Sequence, residues 1–210
     1  FEIWDAIGIE KGIELMKAEG YQPASWVTDM LASGNTSFYS IKDGATHFYS
    51  ITNKKVEKIP GQDAFIILNN IRESKKIWNN SDAIITDLGD GIINLEFTSK
   101  MNSIGAGVLQ GINKAIDIAE KDYNGLVIGN QGANFSVGAN LGMIFMMAVE
   151  QEYDELNMAI KMFQDTMKRC RYSAIPVIAA PHGMTLGGGC ELTMHADRAV
   201  AAAETYIGLV

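Results

Sequence analysis

From residue 83 onward the apolar positions switch repeatedly between a strand period and a helix period. Residues 83–88 and 92–97 are short apolar runs around Gly89-Asp90-Gly91, a strong hairpin signal. Residues 102 to about 120 carry Ile104, Val108, Ile112, Ala115, Ile116 and Ala119 at helical spacing. Leu126-Val127-Ile128, between Gly125 and Gly129, reads as a strand. The loop 130–140 then leads into a helical stretch holding Met143, Ile144, Met146 and Met147. Residues 153–170 predict a longer helix with Leu156, Ile160, Phe163 and Met167 on one side. Val177, Ile178, Ala179 and Ala180 follow Pro176 as an apolar run with no polar face, the pattern of a buried strand. Gly187-Gly188-Gly189 then opens a helix that begins with Cys190, Glu191, Leu192, Thr193 and Met194, and residues 199–203 read as a last strand. Strands alternating with helices in this way predict an α/β unit.

The first eighty residues have a different texture. Residues 1 to about 40 read as helical, with an uneven stripe of Trp4, Ile7, Ile13, Leu15 and Met16 and with Asp5 as candidate cap. Gly20 and Pro23 stop that helix, and residues 25–31 restart it until Gly34. Residues 37–51, with Phe38, Tyr39, Phe48 and Tyr49 flanking Lys42-Asp43-Gly44, predict a hairpin turning at Asp43-Gly44. The charged stretch 53–60 closes on Pro60-Gly61 and reads as a linker, and a helix is expected from about 63 to 78. The boundary between two domains is therefore placed so that they cover 1–60 and 61–210. No internal repeat or low-complexity tract interrupts the chain.

Composition narrows the function classes. The chain has 210 residues, 47% apolar and 20% charged, enough for a packed core without covalent staples. A net charge of −8, with no basic run beyond the solvated pairs Lys54-Lys55 and Lys75-Lys76, argues against a nucleic-acid or anionic-membrane partner. No run of about 18 apolar residues is available to span a bilayer. Cys170 and Cys190 lack metal-ligand spacing to His47, His182 or His195, so no metal site is expected, and two reduced thiols fit an intracellular, cytoplasmic protein. The chain shows no signal peptide and opens inside a helical pattern without an initiator Met. The expectation is a piece of a longer protein.

Candidate chemistry gathers at the glycine run. A glycine-rich helix start leaves backbone N–H groups free to face an anion or a polarised carbonyl, and Glu191 follows Gly188 by three residues. The equally weighted alternative is a tight turn with a Glu favourably placed at a helix N-terminus. A second glycine-bearing loop, Phe135 to Leu141, also follows an apolar strand. Two N–H groups from such separate turns, meeting at one oxygen, would stabilise a thioester as it becomes an enolate. Gly129-Asn130-Gln131-Gly132 does not have the dinucleotide spacing, and no phosphate-binding loop occurs. His182 reads as a structural donor in a turn. His195 and Asp197, at i, i+2, face apart on a helix. The methionines of 143–147 read as core, a composition that also suits a pocket for acyl chains.

These residues carry a resemblance. Pro176-Val177-Ile178-Ala179-Ala180, then Gly187-Gly188-Gly189-Cys190-Glu191-Leu192, Ala196-Asp197-Arg198 and Ala201-Ala202, closely resemble the signature of the crotonase (enoyl-CoA hydratase/isomerase) superfamily. Phe135-Ser136-Val137-Gly138-Ala139-Asn140-Leu141 resembles its other fingerprint, and Met101-Asn102-Ser103 its segment before the first long helix, so the match runs from about 82 to 210. The resemblance implies stacked ββα units, cut short at the C-terminus and preceded by a mostly helical segment. It implies a CoA thioester substrate whose oxygen is held by the N–H groups of Val137 and Gly188. Ser136, Gly138, Ala139, Asn140, Leu141, Gly187 and Gly189 would be the substrate- or CoA-binding positions. Glu191 would be one of the two glutamates with which hydratases add water. The second follows a lead-in like Tyr206-Ile207-Gly208-Leu209-Val210, and the chain ends where it would come next, so the piece alone is expected to be impaired. Asn140 stands where an Asp is common.

Phe1-Glu2-Ile3-Trp4-Asp5-Ala6-Ile7-Gly8 resembles the closing helical part of a 3-hydroxyacyl-CoA dehydrogenase. The order dehydrogenase then crotonase is similar to fusion enzymes of fatty-acid β-oxidation, which places a nicotinamide site upstream and no cofactor in these residues. The implied activity is hydration of 2-enoyl-CoA to 3-hydroxyacyl-CoA by a homo-oligomer. An isomerase of the same fold, or a non-catalytic acyl-CoA-binding or oligomerisation module, is the alternative.

Overall fold

The computed structural model describes residues 1–209, which divide into two compact units, Phe1–Asn70 and Ile71–Val210, each with its own apolar core. In the first unit α1 (Glu2–Ile7), α2 (Ile9–Ala18) and α3 (Ser25–Ala32) bury Ile9, Ile13, Val27 and Met30 together with Phe38 and Tyr49. Gly8, at φ 90°, separates α1 from α2. Asp5 is not a cap. It lies inside α1, and its two carboxylate oxygens accept the N–H groups of Phe38 (2.7 Å) and Tyr39 (2.8 Å), which ties the helix to the strand that follows. That strand, β1 (Tyr39–Lys42), pairs antiparallel with β2 (Ala45–Ser50), and Asp43 and Gly44 both take the positive φ that a two-residue turn demands.

The expected linker is instead a third strand. β3 (Lys55–Lys58) pairs antiparallel with β2, Phe48 opposite Glu57. An edge strand can bond its backbone to one neighbour while its lysines and glutamate stay in water, so charge alone did not exclude it. The single helix expected over 63–78 is also corrected. Gln62–Ala64 form a short 3-10 turn, α4 covers only Leu68–Lys75, and Lys76–Asn79 become β4. Phe65 and Ile66 remain 72% and 53% exposed, so a helix through them would bury little, while Trp78 gains a strand partner in Ile85.

The second unit is built on one six-stranded sheet. β5 (Ala83–Gly89) and β6 (Ile92–Phe97) form the predicted hairpin around Gly89-Asp90-Gly91, with all three residues at positive φ. α5 (Ala106–Asp122) then crosses to β7 (Gly125–Ile128), which lies parallel to β6. α6 (Leu141–Val149) and α7 (Tyr153–Arg171) lead to β8 (Val177–Ala179), parallel to β7. After β9 (Met184–Leu186) and α8 (Gly188–His195) the chain adds the two-residue β10 (Arg198–Ala199) and ends in β11 (Tyr206–Gly208). The strand order is β10-β8-β7-β6-β5-β4, with β9 and β11 forming a separate parallel pair.

The main core is the apolar stripe of α5 (Val108, Leu109, Ile112, Ala115, Ile116 and Ala119) laid over the inner residues of β5 to β8. Each of the larger side chains, Val108, Leu109, Ile112 and Ile116, contributes about 1.5–3 kcal/mol of burial. Gly111 lets the helix approach the sheet closely, because a Cβ there would lie 2.7 Å from that of Ala83. α5 begins four residues later than its periodicity predicts. Met101 and Asn102 sit in the left-handed region (φ 55° and 53°) and make a 3-10 turn ahead of it. On the outer side Arg169 of α7 grips Glu120 of α5 with two hydrogen bonds (2.7 and 2.6 Å), and Asp117 accepts a third (3.0 Å).

Candidate active site

Two loops at the carboxyl ends of parallel strands meet beside the start of α8. The first runs from Phe135 to Asn140. Phe135 is fully buried and packs near Phe97, anchoring the loop in the core. The Ser136 N–H donates to Met184 O (3.2 Å) and its carbonyl accepts from Leu186 N–H (2.9 Å), so the loop pairs with β9 for one residue. The Gly138 carbonyl accepts from Ile104 N–H at 2.8 Å. The second loop is the glycine run. Gly187 has φ 50° and ψ −118°, a conformation closed to residues with a Cβ, and its N–H donates to Gly208 O on β11 (2.9 Å). β9 therefore lies between the Pro176 strand and α8, a strand too short for its period to be readable.

The loops touch. A Cβ on Gly138 would lie 2.8 Å from Leu186 O and 3.0 Å from Gly188 N, and one on Gly189 would lie 2.9 Å from the Ser136 Cβ. A Cβ on Gly188 would meet the Phe163 ring at 3.0 Å, with the Ala139 N at 3.6 Å. The three glycines thus serve three different ends: a forbidden dihedral, a contact with α7, and a contact with Ser136. Among the described residues neither the Val137 nor the Gly188 N–H has an acceptor.

Beside this junction lies a largely apolar cavity of about 350 Å³. Gly188 and Glu191 form one wall, Ala139 and Asn140 a second, and Phe163 with Met147 part of a third. Glu191 is half-buried, one helical turn beyond Gly188, so both present to the same side of α8. Its carboxylate has no hydrogen bond or ion pair among the described residues, although its backbone carbonyl meets His195 Nδ1 at 2.7 Å. A carboxylate with free lone pairs, facing an apolar hollow next to unpaired amides, is equipped to move a proton near a polarised carbonyl.

Of the other residues singled out from sequence, Val137 is half-buried and lies next to the lining positions rather than among them, as does Gly138. Ser136 is fully buried and its hydroxyl is engaged on both sides, donating to Asn102 O (2.7 Å) and accepting from Gly138 N–H (3.1 Å). Leu141 is 75% exposed at the start of α6. Asn140 caps α6 by accepting Met143 N–H at 3.3 Å. Tyr206 to Leu209 are described and Val210 of the same lead-in lies outside the described residues.

The methionines of α6 are not core. The helix rests on α7, buries no residue, and leaves Met143 57% exposed; Met143, Ile144 and Met147 border the cavity instead. Phe163, Leu156 and Ile160 of α7 border it too, which periodicity presented only as one side of an amphipathic helix. His182 Nε2 lies 2.8 Å from Gly132 O, a structural contact in a turn. Asp197 follows the end of α8 and its carboxylate accepts the Val177 N–H (2.8 Å), bracing β8. Burial pushes the Cys170 thiol up to about 12, and burial together with Glu191 raises that of Cys190, so neither is a thiolate nucleophile at neutral pH. Among the described residues no cluster of three metal-ligating side chains occurs, and no helix is long and apolar enough to cross a membrane.

A Bacillus subtilis protein named as a probable 3-hydroxyacyl-CoA dehydrogenase is 45% identical over 211 residues, covering 100% of this chain and 26% of that protein. The chain thus spans about a quarter of that relative's length. An enoyl-CoA hydratase from Polaromonas sp. JS666 superposes with a TM-score of 0.55 at 25% identity, covering 59% of this chain and 49% of that one. An enoyl-CoA hydratase from Bacillus anthracis gives 0.55 at 24% identity over 61% and 50%, a likeness of fold. The model of the enoyl-CoA hydratase/isomerase family matches residues 88–210, which hold both glycine loops and Glu191. The chain belongs to the enoyl-CoA hydratase/isomerase family, and its α/β sheet unit has the crotonase-like fold.

Proposed function

We propose that the Ile71–Val210 unit adds water to a 2-enoyl-CoA, giving a 3-hydroxyacyl-CoA. The observation that carries this reading is Glu191, an unpartnered carboxylate on the wall of an apolar cavity, one turn from the unpaired N–H of Gly188. In the proposed step the water oxygen bonds to C3 of the acyl group while Glu191, one of a pair of carboxyl groups, takes up a water proton. The electrons of the C2–C3 double bond move onto the thioester oxygen, where the N–H groups of Val137 and Gly188 hold the enolate. Return of that water proton to C2, directly or by way of the second carboxyl group, collapses the enolate and restores the thioester, so one water is added and both carboxyl groups end as they began. The chain's own contribution is charge placement: fixed amide dipoles and one mobile proton in a site lined by apolar side chains.

The substrate reaches the site as its CoA thioester, with no metal or resident cofactor. We read residues 1–60 as the closing part of a 3-hydroxyacyl-CoA dehydrogenase domain, whose nicotinamide site lies upstream, and 61–210 as the crotonase-like domain. The likeness to the Bacillus subtilis protein, which extends over the whole chain, supports that reading. Together they form a cytoplasmic homo-oligomer acting in fatty-acid β-oxidation.

Glu191→Gln in the full-length protein tests the proposal. The expected result is a fall in hydration rate of about 10² to 10⁴, read from loss of the conjugated thioester absorbance. An unaltered rate removes Glu191 from the mechanism.

A further inference from the structure

The backbone around the first loop uses its amides selectively. Ser136 N–H is taken by Met184 O, and Gly138 N–H by the Ser136 hydroxyl at 3.1 Å, so that Val137 between them keeps the one N–H of the three with no acceptor. The Ser136 hydroxyl is fully buried and hands its own proton to Asn102 O at 2.7 Å. Asn102 grips the same loop a second time, its side-chain Nδ2 donating to Asn134 O at 2.9 Å. One residue therefore holds the loop on both sides of Phe135. It does so from a left-handed backbone (φ 53°), which Asn tolerates better than most residues.

We propose that Ser136 and Asn102 are positioning residues that aim the Val137 amide. This rests on the assignment of Val137 to the enolate-binding pair made above. Ser136 then touches no substrate. Its hydroxyl occupies the Gly138 N–H, which would otherwise compete for the same oxygen, and locks the Val137–Gly138 peptide on one side of Val137. The Ser136–Val137 peptide that carries the Val137 N–H is held on the other side by Ser136 O accepting the Leu186 N–H (2.9 Å). Asn102 supplies the fixed end of that lock from the turn ahead of α5. A hydrogen-bond donor displaced by about 1 Å costs on the order of 10²-fold in rate, which sets the scale of the effect.

Two measurements on the full-length protein decide it. In kinetics, Ser136→Ala is expected to lower kcat by about 10- to 10²-fold with KM within about twofold, because the lock acts on the developing enolate rather than on the bound tail. Ser136→Cys, with a weaker donor and acceptor in the same place, recovers part of the loss. In spectroscopy, a 2-enoyl-CoA bound to the Glu191→Gln protein shows its conjugated absorbance moved to longer wavelength by polarisation of the carbonyl. Adding Ser136→Ala reduces that displacement. If the displacement is present with Glu191→Gln and unchanged in the double variant, the positioning role is overturned while the amide pair stands. If it is absent with Glu191→Gln alone, the amide pair itself falls. Should Ser136→Ala fail to fold, Asn102→Gly keeps the left-handed backbone and removes only the Nδ2 bond. A smaller loss in kcat and displacement then supports the proposal, and no change in either overturns it.

Discussion

At the scale of single residues, the glycine run shows why a cluster of identical letters need not have one explanation. Gly187 is there for its dihedral, Gly189 for its contact with Ser136, and Gly188 because the Phe163 ring occupies the space a Cβ would need, 3.0 Å away. Gly188→Ala should therefore be destabilising by about 1–3 kcal/mol through overpacking. Combining it with Phe163→Leu should give a total smaller than the sum of the two single changes, by about 0.5–3 kcal/mol. Denaturant titration of the four proteins checks this, and strict additivity would show that the ring is not the obstacle. The existence of the glycine turn, and the carboxylate behind it, was readable from spacing. Phe163 was not, because its contact with Gly188 joins residues 25 positions apart and leaves no local mark. Ser136 presents the converse case: the resemblance drew attention to it as a binding position, and the structure engages its hydroxyl wholly within the protein.

At the scale of elements, long periodic stretches were legible and short or charged ones were not. The stripe of α5 and the hairpin of β5 and β6 follow from pattern alone. β3, β9 and β11 are three or four residues each, below the length at which a period can be counted, and they exist because a neighbouring backbone is available to pair with. For the α6 methionines the core reading failed and the pocket reading held: apolar composition normally implies burial, whereas this helix packs chiefly on α7 and borders the cavity. The junction of α5 with α7 carries a dependence on acidity. The hydrogen bonds from Arg169, then the N–H of Ala174, hold the Glu120 carboxyl down to about 2 from an ordinary 4.5. A carboxyl depressed by folding adds stability that is complete above its unfolded value and is lost as the pH falls through the folded one. The melting temperature should accordingly drop as acid is added between pH 4.5 and 2, and Glu120→Gln should flatten that part of the profile. An identical acid profile in the variant would assign the loss to other carboxylates.

At the scale of the whole molecule, the two units have separate apolar clusters, one centred on Ile9, Ile13 and Met30 and the other on the sheet under α5. Separate cores open separately. Ile13→Ala, which removes buried volume at a cost of roughly 2–5 kcal/mol, should speed amide hydrogen exchange in α2, α3 and β1 to β3 while leaving β5 to β8 protected. Acceleration spread evenly over both units would show one cooperative body instead. The family assignment was within reach of the sequence because its motifs lie in the second unit, where strand, loop and helix follow one another in chain order. The architecture of the first unit was harder to read, since what organises it is a carboxylate in α1 accepting two amides from the strand after α3.

The cavity's softest boundary is α6, nearly all of whose residues are exposed while Met143, Ile144 and Met147 border the hollow. A thioether arm has three rotatable bonds and no branch, so it can swing aside or fill in with little penalty. A fatty tail meeting such a boundary finds neither a hard end-stop nor an empty gap. If the proposed substrate is right, discrimination between successive homologues should then be graded rather than abrupt, a consequence of the two flexible methionines Met143 and Met147 rather than of the size of the hole.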